Sequence, residues 1–123
     1  MRIFLAEDNE DNYMVVKSNL RKVEEPTELI WAQDGEIAIR MLEHEENIDV
    51  FLIDIEMPNI GGLELTKWIK SQERFVDKPV VAVTASVFAE MKKIYFENGF
   101  DFILEKPFSR KEFLDILQKI MNK

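Results

Sequence analysis

Glu7, Asp8, Asp54, Thr84 and Lys106 are the residues whose types could do chemistry together. Each follows a short apolar run: Ile3-Phe4-Leu5-Ala6, Val50-Phe51-Leu52-Ile53, Val80-Val81-Ala82-Val83 or Phe102-Ile103-Leu104. Three carboxylates brought to about 5 Å repel by about 3 kcal/mol per pair at an effective dielectric of about 20. Either one of them keeps a proton or a cation sits among them. An all-oxygen set with few protein ligands suits Mg²⁺, which keeps waters and takes phosphate oxygens. The lysine supplies charge and the threonine a hydroxyl for those oxygens, and a carboxylate can act as the nucleophile. The chemistry expected is transfer of a phosphoryl group onto Asp54, assisted by Mg²⁺ and Lys106, with hydrolysis returning the free carboxylate.

This constellation requires elements that bring distant residues to one place. The stretch from Val50 to Gly62, VFLIDIEMPNIGG, is a fully apolar strand ending on Asp54, followed by a loop that Pro58 and Gly61-Gly62 enforce. Further strands are expected at Arg2 to Ala6, Leu29 to Ala32, Val80 to Thr84 and Phe102 to Leu104. Helices alternate with them. The first follows Asn9-Glu10-Asp11-Asn12, with Val16, Leu20 and Val23 as its stripe. The second runs from Glu36 to about Glu46 with Ile37, Met41 and Leu42 inward, and the third from about Gly62 to Ser71. The fourth covers about Phe88 to Asn98, stopped by Gly99, and the last opens on the capping box Ser109-Arg110-Lys111-Glu112. Its inward stripe is Phe113, Ile116, Leu117 and Ile120. Uniformly apolar strands alternating with helices imply an α/β fold, a doubly wound (βα)5 parallel sheet of strand order 2-1-3-4-5. Ligands bind such sheets outside the carboxyl ends of the strands, where the five residues stand.

The 123 residues form one domain, 1–123, with a single core. A net charge of −8 argues against direct nucleic-acid binding and suits a cation or a basic partner. Absence of cysteine excludes disulfides, thiolate metal sites and cysteine catalysis. No apolar run reaches membrane-spanning length, so membrane insertion is not expected and the location expected is cytoplasmic. His44 is the only histidine and sits in the acidic helix end EHEEN as a solvated residue, so a phosphoryl-donor histidine must belong to another protein. Lys92-Lys93 reads as a solvated face, and Trp31, Trp68 and the methionines as packing. Phe88, Tyr95 and Phe96 cannot all point inward, and the exposed ones mark a partner surface.

The motifs AEDN at Glu7-Asp8, LIDIEMPNIGGLE around Asp54, VAVTA around Thr84 and EKPF around Lys106 resemble those of the receiver domain of two-component response regulators. The likeness covers essentially the whole chain, and its wording is similar to hybrid-kinase and single-domain receivers. It implies a flavodoxin-like fold in which Asp54 is the phosphoacceptor. It also implies that Asp8 binds the metal directly, Glu7 binds it through water, and Glu56 offers its backbone carbonyl. Thr84 is then the hydroxyl that turns toward the phosphoryl group, with Ala85 leaving it space. Lys106 is the lysine that contacts the phosphoryl group, and Pro107 follows a cis peptide. Ser86 and Glu56 flank the site as tuners of hydrolysis. Such a domain receives its phosphoryl group from a sensor histidine kinase or a histidine phosphotransfer protein, and is a phosphorylation-controlled switch or relay intermediate rather than a turnover enzyme. A downstream protein target would dock on the face of the fourth helix, fifth strand and fifth helix. One position departs. Where the family carries Tyr or Phe three residues before the lysine, this chain has Ile103, with Phe102 facing the other way. A ring rotation at that position is therefore unavailable, and an altered output at that face is expected.

Two other classes fit less well. An aspartyl-phosphate phosphatase needs a second Asp two residues after its nucleophile and a cap over the substrate, whereas Glu56 stands there. A flavodoxin-like binding module needs a Ser/Thr/Gly-rich loop after the first strand, which is acidic here. No output domain follows the last helix, which leaves action through partners, phosphorelay, or membership of a larger chain all open.

Overall fold

A computed structural model describes residues 1–122; Lys123 lies outside the described residues. The elements run β1 (Arg2–Ala6), α1 (Glu10–Leu20), β2 (Glu28–Ala32), α2 (Gly35–Leu42), β3 (Val50–Asp54), α3 (Gly62–Lys70), β4 (Val80–Thr84), α4 (Ala89–Glu97), β5 (Phe102–Glu105) and α5 (Arg110–Met121). The five strands form one sheet, all pairs parallel, in the order β2-β1-β3-β4-β5. This is the expected doubly wound arrangement.

Alternation along the strands divides the core between the two faces of the sheet. Phe4, Phe51, Ile53, Val80 and Ala82 face α2, α3 and α4, packing with Ala38, Leu42, Leu65, Ile69 and Tyr95. Ile3, Leu5, Leu52, Val81 and Val83 face α1 and α5, packing with Val16, Leu20, Phe113 and Leu117. Two of the three interior strands, β3 and β4, are buried along their whole length, which is why their sequences carry no polar alternation.

Local chemistry sets the helix ends. Asn9 caps α1 through its side chain, Asp34 caps α2, and Ser109 with Glu112 forms the expected capping box on α5. Gly99 ends α4 at φ +104°, the left-handed conformation read from the sequence.

Three helical expectations are corrected. First, α2 ends at Leu42 instead of continuing to about Glu46. Arg74, from the segment after α3, donates to the carbonyls of Leu42 (2.8 Å) and Glu45 (2.9 Å), the first of which a helix continued to Glu46 would have used itself. Second, Ile37 is exposed, because the stripe of α2 runs through Gly35, Ala38 and Leu42. Third, Val23 lies beyond the end of α1, although it still packs on the α1–α5 side of the sheet.

Candidate functional site

The register brings the five chemical residues to one end of the sheet. Ala6 pairs with Ile53, and Asp54 with Val83, so the ends of β1, β3 and β4 lie side by side where the strand order reverses. Glu7, Asp8, Asn9, Asn12, Asp54, Glu56, Thr84, Ala85 and Lys106 line a cleft of about 340 Å³ there. The close approach that places the β3–α3 loop requires Gly62. A Cβ on that residue would lie 2.4 Å from the Asp54 carbonyl oxygen.

Asp54 and Glu7 are buried acids, and Lys106 bridges them. Its ammonium lies 3.2 Å from Asp54 Oδ2 and 3.3 Å from Glu7 Oε2. The other Asp54 oxygen, Oδ1, accepts the Glu56 backbone N–H at 3.1 Å. Glu7 Oε1 accepts from Asn9 N–H (3.2 Å) and from the Asn12 amide (3.1 Å). Asp8 is exposed and has no hydrogen bond or ion pair among the described residues.

Burial pushes the Asp54 carboxyl up to about 6, and the Glu7 charge pushes the same way, against the opposing pull of Lys106 and the Glu56 N–H. Burial alone would lower Lys106, but Asp54 and Glu7 outweigh it and its ammonium is held above its ordinary value. One oxygen from each of Glu7, Asp8 and Asp54 falls within a 4.8 Å cluster. Three carboxylates against one ammonium leave two negative charges, which a divalent cation would balance. The donor set is all oxygen, and Asp8 is free to coordinate. The residues therefore fit a hard divalent ion of the Mg²⁺ kind.

Thr84 is buried at the end of β4. Its Oγ1 accepts the Ser86 N–H at 3.0 Å and lies 3.2 Å from the Tyr95 hydroxyl. Ala85, beside it, is exposed and keeps the cleft open. The Lys106 backbone N–H donates to the Thr84 carbonyl at 2.8 Å, and the Lys106–Pro107 peptide is cis, as expected. Ile103 is half-buried on the α2–α4 side of the sheet, and Phe102 packs on the opposite side.

Reading by residue type missed three participants. Asn12 fixes Glu7 from one turn into α1. Trp31 reads as packing in the sequence, but its indole N–H donates to the Glu7 carbonyl at 2.7 Å while its ring stacks on Tyr13 at 4.0 Å. Tyr95 is one of three aromatics in the sequence that compete for the core. The structure buries it completely and leaves Phe88 75% and Phe96 51% exposed. Asn12 stands in the polar patch Asn9-Glu10-Asp11-Asn12 that opens α1, a helix-start signal with no pointer to Glu7; the other two depend on contacts across the fold.

The sheet order and the acidic cleft at its switch point define a doubly wound α/β protein with a cleft suited to a divalent cation. A family model for the response regulator receiver domain matches residues 3–118, and the chain belongs to that family. It is 34% identical over 106 residues to stress response regulator protein 1 of Candida tropicalis, covering 86% of this chain and 40% of that protein. It is 29% identical over 119 residues to the polar-differentiation response regulator DivK of Brucella ovis, covering 97% of this chain and 94% of that one. Among solved structures it matches the receiver domain of the Pseudomonas aeruginosa sensor histidine kinase PA1611 with TM-score 0.87 and 30% identity, over 99% of this chain and 98% of that one. That structure has a magnesium ion coordinated in its active-site cleft. The family accepts phosphoryl groups as a switch and is not a class of turnover enzymes, and membership implies a histidine kinase or phosphotransfer partner. The chain spans under half the length of some relatives it matches. No helix among the described residues is long and apolar enough to cross a membrane.

Proposed function

We propose that residues 1–123 act as one receiver unit in which Asp54 accepts a phosphoryl group from a phosphohistidine on a partner kinase or phosphotransfer protein. The observation that carries this reading is the Lys106 ammonium bridging Asp54 and Glu7 in a cleft that retains two uncompensated negative charges. Asp8 and Asp54, the Glu56 carbonyl, and Glu7 through water would hold Mg²⁺. The ion would supply charge neutralisation for the phosphoryl oxygens.

In the transfer, the Asp54 carboxylate attacks phosphorus, the P–N bond to the donor imidazole breaks, and the electron pair leaves with the imidazole. Lys106 exchanges part of its pairing with Asp54 for a phosphoryl oxygen, and the Thr84 hydroxyl contributes a hydrogen bond. Attack of water on phosphorus later releases inorganic phosphate and restores the carboxylate; Glu56 and Ser86, at the rim, tune that step. The signal leaves through the α4-β5-α5 face. There a groove of about 610 Å³ is lined by Val87, Phe96, Ile103 and Ile116 together with Lys92 and Glu112, features of a protein target rather than a nucleic acid. The acidic balance and the absence of a spanning helix among the described residues fit a cytoplasmic, non-membrane setting.

The test is intact mass after incubation with acetyl phosphate, with and without Mg²⁺, for the native chain and Asp54→Asn. One phosphoryl addition that needs Mg²⁺ and disappears in the variant is expected. No addition to the native chain under any condition would overturn the reading.

A further inference from the structure

Thr84, Ser86 and Tyr95 close a small ring of hydrogen bonds whose directions are determined by their donor inventory. The Ser86 carbonyl can only accept, so the Tyr95 hydroxyl spends its single proton on it at 3.0 Å. The Ser86 N–H can only donate, and it occupies one lone pair of Thr84 Oγ1 at 3.0 Å. The remaining bond, Thr84 Oγ1 to Tyr95 OH at 3.2 Å, must then run from threonine to tyrosine. Thr84 has one hydroxyl proton, and in this structure it is committed to a phenol on α4. Tyr95 is fully buried, so water cannot replace that acceptor.

This matters only if Thr84 is needed elsewhere, and the inference rests on the reading of Asp54 given above. A phosphoryl group on Asp54 presents charged oxygens in the cleft that Thr84 lines, and a charged acceptor outcompetes a neutral phenol for the same proton. We propose that Tyr95 is a positioning residue for the phosphoryl site: it holds the Thr84 proton away from Asp54 in the unmodified protein and releases it when the phosphoryl group arrives. The ring does not need to rotate, because it is already inside; what changes is the partner of its oxygen. Ile103 has no hydroxyl to offer from β5, and the other tyrosine, Tyr13, is stacked on Trp31 on the far side of the sheet. Tyr95 lies on the same helix as two exposed rings, the N-cap Phe88 and Phe96.

The experiment follows the ring carbon bearing the Tyr95 hydroxyl by NMR in protein labelled with ¹³C at that carbon. Beryllofluoride, a phosphoryl mimic, is titrated in the presence of Mg²⁺, and Tyr95→Phe assigns the two tyrosine signals. The Tyr95 signal is expected to move on saturation in the native protein and to stay still in Thr84→Val, which keeps the shape of the side chain but has no proton to move. Tyr95→Phe keeps the ring and frees the threonine proton, so its affinity for beryllofluoride should rise by about fivefold, the size of one neutral hydrogen bond. A purely structural tyrosine would alter thermal stability and leave that affinity where it was. Saturable binding with an unmoved Tyr95 signal would overturn the proposal, and if Tyr95→Phe failed to fold, the native signal alone would decide. Failure of the native chain to bind beryllofluoride and to take a phosphoryl group would instead overturn the reading of Asp54, and this proposal with it.

Discussion

The two ends of the sheet each hold a lysine, and the two are almost equally buried, Lys70 with 20% and Lys106 with 22% of the side chain exposed. Their surroundings differ. Lys70, at the end where β4 and β5 begin, donates to the carbonyls of Val76 (3.3 Å) and Lys78 (2.8 Å) and to Asp101 Oδ2 (3.1 Å). Three donors meet three acceptors, and one charge meets one charge. Asp101 Oδ2 also accepts the Val80 N–H at 2.9 Å, which ties the starts of the two strands together. Lys106, where the strands end, meets two carboxylates with a third beside them, and the charges do not close. A satisfied network holds a fold together. A network left two negative charges in excess is costly to the apo fold and is useful only if something binds there.

The comparison breaks most sharply if the two lysines are removed in turn. Lys106→Met should lower the rate of phosphoryl uptake from acetyl phosphate on the order of 10²–10³-fold, since it removes a preorganised charge from the place where negative charge accumulates. Lys70→Met should leave that rate unchanged. Equal loss in both variants, measured by intact mass against time, would mean that the lysines differ in position but not in role.

The charge excess itself is probed by pH. The carboxyl of Asp54 titrates at about 6 in the folded chain against an ordinary value of 3.8, so the folded state binds the proton more tightly than the unfolded state does. Stability from this group is therefore greatest below the ordinary value and is lost as pH rises through about 6. Asp54→Asn, which cannot ionise, should be more stable than the native chain at pH 8 without metal, by on the order of 2 kcal/mol, and no more stable at pH 3.5. Urea unfolding at the two pH values measures both. A gain of the same size at each would show that the ionised carboxylate is not the source of the cost. Added Mg²⁺ should narrow the difference at pH 8 by stabilising the native chain alone.

At the other end, Lys70→Met should cost about 1–3 kcal/mol in the same urea experiment, because it strips the donor from two backbone carbonyls and from Asp101. No loss of stability would mean that water replaces the ammonium, and the contrast between a closed and an open network would fail.

How far the sequence discloses each end follows from the same contrast. The open end is legible because its residues are the wrong ones for their surroundings. Asp54 terminates four apolar residues, and Glu7, Asp8 and Lys106 likewise come at the ends of short apolar runs, so a polar residue at a strand end is a local signal. The strand order follows from helices that cover both faces. The closed end is not legible in this way. Lys70 looks like any basic residue in the last turn of a helix, and its partners come from a turn and from Asp101, the residue before β5, 31 positions away. Arg74 is the same case: its capture of the Leu42 carbonyl shortens α2, and no pattern within 36–46 announces it. Ile37 is expected inward with Met41 and Leu42, yet small Ala38 takes the place against the sheet. Tyr95 is intermediate, recognisable as an aromatic with two rivals, while its hydroxyl partners depend on how α4 lies across β4.

The smallest effect tests whether an unsatisfied group at the closed end is anything more than a cost. Thr66 lies one turn before Lys70 on α3, fully buried, and its hydroxyl has no partner among the described residues. Gly99, at its positive φ, brings the end of α4 against both side chains, and a Cβ there would lie 2.9 Å from Lys70 Cγ and 3.6 Å from Thr66 Cγ2. Thr66→Val keeps the shape, removes the unpaired hydroxyl and leaves helix propensity nearly unchanged. A gain of up to about 1 kcal/mol in urea unfolding is therefore expected, with phosphoryl uptake unaltered. At the Lys106 end, each change to a polar group should alter function. Here the change should alter stability alone, and a loss of stability or a slower uptake would show that the Thr66 hydroxyl has a partner that links the two ends.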